Sequence, residues 1–195
     1  MPPAPQKSAF LVAAILTGAL VHPAVAGEPA ANLKCGALLV TVGGCADCHM
    51  PSRNGANGPE KDLARGLSGH PESLRLPPPP RLEGEWNWAG SATMTAFVGP
   101  WGVTYAANLT PDRETGIGAW TANDFIRAMR TGQHVGVGRP ILPPMPWQAL
   151  ASLPERDLRA IHAYLMAQPA VNNRVPDYAP PAPATARSGG PRNPG

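Results

Sequence analysis

Apolar residues recur at helical spacing in three stretches of the 195-residue chain, and between them the pattern dissolves into glycine and proline. The first stretch runs from Leu33 to Gly43, with Leu38, Leu39 and Val42 apolar and the pair Gly43-Gly44 closing it. Gly36 inside it costs about 1 kcal/mol relative to alanine. One expected use is to let an aromatic side chain from a crossing helix come close, with Tyr164 the candidate; the plainer reading is a frayed helix start. The second stretch is capped by Thr121, carries Asp124 in its first turn, and sets Phe125, Ile126 and Met129 on one face to about Arg130. Gly132 ends it. The third starts from Ser152-Leu153-Pro154-Glu155, a capping-box pattern. It sets Leu158, Ile161 and Leu165 as a buried stripe and stops at Pro169.

The intervening segments are built differently. Residues 50–100 are loop-rich, with a turn cluster at Asn54-Gly55-Ala56-Asn57-Gly58-Pro59 and a polyproline II spacer expected at Pro77 to Pro80. Trp86 and Trp88 alternate as on a short strand and are expected to pack inward. Phe97 to Trp120 is dense in turn residues and able to lie flat across a cofactor. The chain has 26 prolines in 195 residues, well above the ~5% norm, which implies long extended connections and short helices. The expected fold class is therefore mostly α, with three or more short helices and long loops. Residues 178–195, rich in Pro, Ala and Gly, read as a disordered tail, leaving one domain over 31–177.

Residues 1–26 read as an export signal: Lys7 in a weak positive region, an apolar core from Ala9 to Leu20, and Ala24-Val25-Ala26 as the cleavage site. The apolar run is shorter than the roughly 20 residues a spanning helix needs, so no membrane span is expected after cleavage. The expected compartment is the periplasm. Removing Lys7 leaves fifteen basic against thirteen acidic residues. So small an excess implies neither nucleic acid nor an anionic membrane as partner.

The candidate chemistry is concentrated in Cys45-Ala46-Asp47-Cys48-His49. Two thiols three positions apart fall on one side of a helical turn, where both can form thioethers to one haem, and the histidine that follows is placed under the iron. A thiol-disulfide site would want a βαβ setting, and a structural zinc site a second ligand pair. Cys35 is the one other cysteine, and it is expected to be a small buried residue of the first helix. With a single C-x-x-C-H, one covalently attached haem c is expected.

An electron-transfer haem wants a second axial ligand, and a thioether there raises the potential. Met145, in Ile141-Leu142-Pro143-Pro144-Met145-Pro146-Trp147, is stiffened by prolines on both sides and is the candidate. His134 or His70, or an open iron, remain as alternatives; His162 is expected at the surface.

The chain resembles the single-haem c-type cytochromes related to the cytochrome domains of membrane-bound alcohol, gluconate and aldehyde dehydrogenases. The likeness rests on Gly36-Ala37-Leu38-Leu39 leading to Gly44-Cys45-Ala46-Asp47-Cys48-His49, on Gly102 to Asp112, and on Thr115 to Trp120. It continues through Phe125 to Gly132, Pro144-Met145-Pro146-Trp147 and Asp157 to Leu165. The resemblance implies a cytochrome c-like fold wrapped around the haem, His49 and Met145 as axial ligands, and an Asn-Leu-Thr-Pro-Asp loop near the propionates. Asn108 and Trp120 are then the implied propionate donors, with Tyr105 and Arg139 behind them. Larger members carry three haems where this chain has one motif, and the Pro-rich stretch 71–90 is a departure. The implied activity is electron carriage, without catalysis, from a donor dehydrogenase to an acceptor cytochrome or oxidase. The competing reading is a haem enzyme or gas binder with an open distal site.

Overall fold

Helix α1 (Glu28–Val42) crosses helix α5 (Glu155–Met166) at closest approach through Gly36, where a Cβ would run into the Ala160 carbonyl and the Cβ of Tyr164. The expected close approach is therefore real, and what it meets is largely main chain. The computed structural model describes Met1, residues 28–136 and residues 138–181; the expected signal beyond Met1 and the tail past residue 181 lie outside them. Around the α1–α5 crossing sit Val40, Leu158, Ile161 and Leu165. Phe125, Ala128 and Met129 join them from α3 (Ala122–Thr131), with Leu67 and Ile117 from loops. Leu158 and Leu165 are essentially fully buried, each contributing about 1.5–3 kcal/mol by removal from water.

The remaining helices are short: α2 (Cys45–His49) and α4 (Trp147–Ala151). Thr121 and Asp124 form the reciprocal capping box that starts α3, and Gly132 ends it at φ 66° beneath the Trp147 indole. The capping box expected for α5 does not form. Its N-cap is Pro154, and the Ser152 hydroxyl instead donates back to the Ala149 carbonyl at 2.7 Å, closing α4.

The fold is mixed rather than mostly α, since the described residues also form two small antiparallel sheets, neither closed into a barrel. β1 (Ser52–Gly55) and β2 (Gly58–Lys61) make a hairpin whose turn is the expected Asn54–Pro59 cluster. The second sheet runs β3 (Ala89–Gly90), β4 (Ala96–Gly99), β5 (Gly102–Tyr105), with Ala96 opposite Tyr105. Trp86 and Trp88 lie outside these strands and are exposed at 76% and 42%. Phe97 takes the inward place, and Trp88 meets only its edge. Cys35 is likewise exposed on α1, contrary to expectation.

The described residues continue from 178 to 181. Tyr178 donates its hydroxyl to the Trp101 carbonyl at 2.5 Å, and Ala179 pairs both ways with Val103. A cavity of about 1050 Å³ lies between this segment, Pro77 to Pro80 and the sheet, lined by Leu74, Phe97, Tyr105 and His70. No helix among the described residues is long and apolar enough to cross a membrane.

Candidate haem-attachment site

Gly44 adopts φ 65°, a left-handed turn open to glycine, and starts α2 directly on Cys45. One helical turn then carries both thiols and His49. Cys45 and Cys48 are half-buried and unbridged, and burial pushes both thiols up. A redox C-x-x-C would hold its reactive thiol down instead. Among the described residues no three His, Cys, Asp or Glu side chains are arranged to hold a metal ion, so a zinc site would lack its second ligand pair.

His49 is 8% exposed, and its Nδ1 lies 2.7 Å from the Ala107 carbonyl. A carbonyl can only accept, so Nδ1 carries the proton and Nε2 keeps its lone pair. Burial lowers the imidazole pKa, which favours the neutral, ligating form. The donor set thus fits a c-type haem: two unpaired thiols on one helical turn and an oriented neutral imidazole beside them.

Ala107 is itself held in place. Gly69 N–H donates to the His49 carbonyl at 2.8 Å, His70 N–H to the Ala106 carbonyl at 3.0 Å, and Leu109 N–H to the Leu67 carbonyl at 2.9 Å. Gly69 has φ 78°, and a Cβ there would strike the Ala106 and Ala107 carbonyls. Neither Gly69 nor Ala107 announces itself in the sequence, because one is a lone glycine and the other acts through its main chain. Asn173 was also missed: it is 2% exposed and braces the same 68–72 segment.

The other expected residues fall in several places. Met145 is half-buried in the connection from α3 to α4, its N–H donating to the Leu142 carbonyl at 3.3 Å. The His134 pKa is pushed down to about 4, first by burial and then by Arg139 and His49. Arg139 donates to His134 Nε2 at 3.4 Å. His70 is 1% exposed with Nδ1 on Thr95 Oγ1 at 2.9 Å, and it faces the cavity with Tyr105, their ring centroids 4.9 Å apart. Cys45, Cys48, His49 and Met145 do not line that cavity.

Asn108 is buried at 3% and works within the protein. Its amide donates to Thr115 Oγ1 and the Val171 carbonyl, and its Oδ1 accepts from the Thr110 N–H and hydroxyl. Trp120 is half-buried against the core, and its carbonyl lies 3.2 Å from His162 Nε2, so His162 is half-buried as well.

No protein-family model matches the chain. It is 32% identical to a subunit of the nicotinate dehydrogenase of Pseudomonas putida, over 79% of this chain and 10% of that protein. It is 40% identical to the cytochrome c subunit of alcohol dehydrogenase (quinone) of Gluconobacter oxydans, over 42% of this chain and 18% of that protein. To the gluconate 2-dehydrogenase cytochrome c subunit of Pantoea cypripedii it is 28% identical, over 80% of this chain and 28% of that protein. The chain therefore spans less than a third of the length of these relatives. With its C-x-x-C-H helix and oriented histidine, the chain is a relative of the cytochrome c subunits of dehydrogenases.

Proposed function

We propose that the chain is an exported electron carrier that holds one covalent haem c and works beside a dehydrogenase in the periplasm, passing electrons to an acceptor cytochrome or oxidase. The observation that carries the reading is the 2.7 Å contact from His49 Nδ1 to the Ala107 carbonyl, which leaves Nε2 as a ligand next to two unbridged thiols. The relatives support it, since those named as cytochrome c subunits belong to dehydrogenases. When bound, the haem supplies a reversible one-electron couple.

The protein's own residues do the rest. Cys45 and Cys48 would hold the group by thioethers, and His49, fixed in one tautomer and one orientation by Ala107, would ligate it. Met145 would supply the second ligand, and a soft thioether there would favour the reduced state. Asn108 and Trp120 would serve the propionates: Asn108 fixes the 108–115 loop, and Trp120 is half-buried against the core. No catalytic residue is assigned.

The test is to produce the mature chain in a host able to make such thioethers and titrate its colour against potential. One haem per chain, a single one-electron wave and slow cyanide uptake by the ferric protein support this reading. Fast cyanide uptake would point to an open distal site instead.

A further inference from the structure

Helix α1 is apolar on two faces and uses one of them. Gly36 and Val40 face α5, while Cys35, Leu38 and Val42, spaced i, i+3, i+7, form a line on the solvent side. Leu38 is 62% exposed and Val42 77%. Between residues 32 and 44 the one charged side chain is Lys34. The Thr41 hydroxyl is spent on its own helix, at 2.9 Å from the Ala37 carbonyl. A helix face turned permanently to water would carry charge at these positions. The line also leads somewhere: past Val42 come Gly43 and Gly44, which add no side chains, and then Cys45.

We propose that the Cys35–Leu38–Val42 line, with the glycine pair at its end, is the face on which a redox-partner protein docks transiently to exchange an electron with the haem at Cys45 and Cys48. The partner's matching patch is uncharged and apolar. The proposal rests on the haem reading above. Size selects this occupant: three side chains and two glycines offer a few hundred Å² at most, well under the ~800 Å² per partner of a stable dimer and within the range of electron-transfer encounters. Charge agrees, because a membrane-surface helix carries several basic residues on its polar side, and α1 has Lys34. Recognition by apolar contact is weakly dependent on salt, and the short path from Val42 to Cys45 would set the partner beside the residues that hold the haem.

A second copy presents the same patch, so electron self-exchange serves as the probe. Ferrous and ferric holoprotein are mixed, and the exchange rate is read from NMR line broadening at low and high salt. The parent rate should change little with salt. The double variant Leu38→Gln, Val42→Thr should exchange about tenfold slower with an unchanged visible spectrum, and so should parent protein alkylated at Cys35 with a bulky maleimide. Trp86→Gln, an exposed apolar residue elsewhere, should exchange at the parent rate. A double variant and an alkylated protein that both keep the parent rate overturn the proposal. So does a stable dimer in sedimentation, or binding to anionic vesicles, that the double variant loses. Colourless protein overturns the haem reading and this proposal with it, whereas coloured protein with unchanged exchange overturns the docking face alone.

Discussion

Asn173 donates one amide hydrogen to the His70 carbonyl at 2.9 Å, tying the end of the described chain to the segment that steadies the His49 loop. Its other amide hydrogen goes to the Ser68 carbonyl at 2.8 Å, and its Oδ1 accepts from the Glu72 N–H at 2.8 Å. Asn173→Ala strips all three bonds and strands two carbonyls in a buried setting. The expected loss is about 2–4 kcal/mol in urea unfolding followed by circular dichroism. An unchanged midpoint would remove Asn173 as a brace.

Gly36→Ala sets two effects against each other. Alanine gains about 1 kcal/mol of helix propensity, while its methyl meets the Ala160 carbonyl, which cannot swing aside as a side-chain tip could. Overpacking of this kind costs roughly 1–3 kcal/mol or more, so the clash wins and the melting temperature falls. A rise in melting temperature would show that α1 does not lie so close to α5.

Met145→Ala tests the distal ligand. We expect the potential to fall and the weak far-red sulfur-to-iron band to vanish, both read on the ferric and ferrous holoprotein. An unchanged spectrum would assign the position to another residue, with His134 or His70 the next candidates.

Acid should weaken the fold through His134. Its folded pKa of about 4 lies below the ordinary 6.5, so the unfolded chain takes up the proton first as pH falls. The stability from neutral His134 is whole above about pH 6.5 and is lost progressively toward pH 4, at up to about 1.4 kcal/mol per pH unit. His134→Gln should flatten the dependence of the urea midpoint on pH over that window by close to one proton. A profile as steep as the parent's would show that His134 is not the group responsible.

The sequence was most legible where local chemistry sets structure. Thr121 with Asp124, the Gly132 stop and the Cys45–His49 turn were all readable, because each is complete within a few residues. It was least legible where partners lie far apart. The β1–β2 hairpin reads as polar and glycine-rich, so its four-residue strands give no alternation to detect. Trp86 and Trp88 alternate correctly for a strand, but Phe97 fills the inward place they were expected to take. The Ala107 carbonyl that orients His49 lies 58 residues away, and a main-chain acceptor leaves no mark in composition. Asn173 was hidden for the same reason, its acceptors being more than 100 residues back along the chain.

Acid acetone tests directly whether two sulfurs and one imidazole of this chain hold a haem. Mature protein made where such linkages form should keep its pigment through extraction and give a c-type pyridine haemochrome, with the band moved to the red in Cys45→Ala. Pigment released into the solvent, or a colourless protein, would contradict the account.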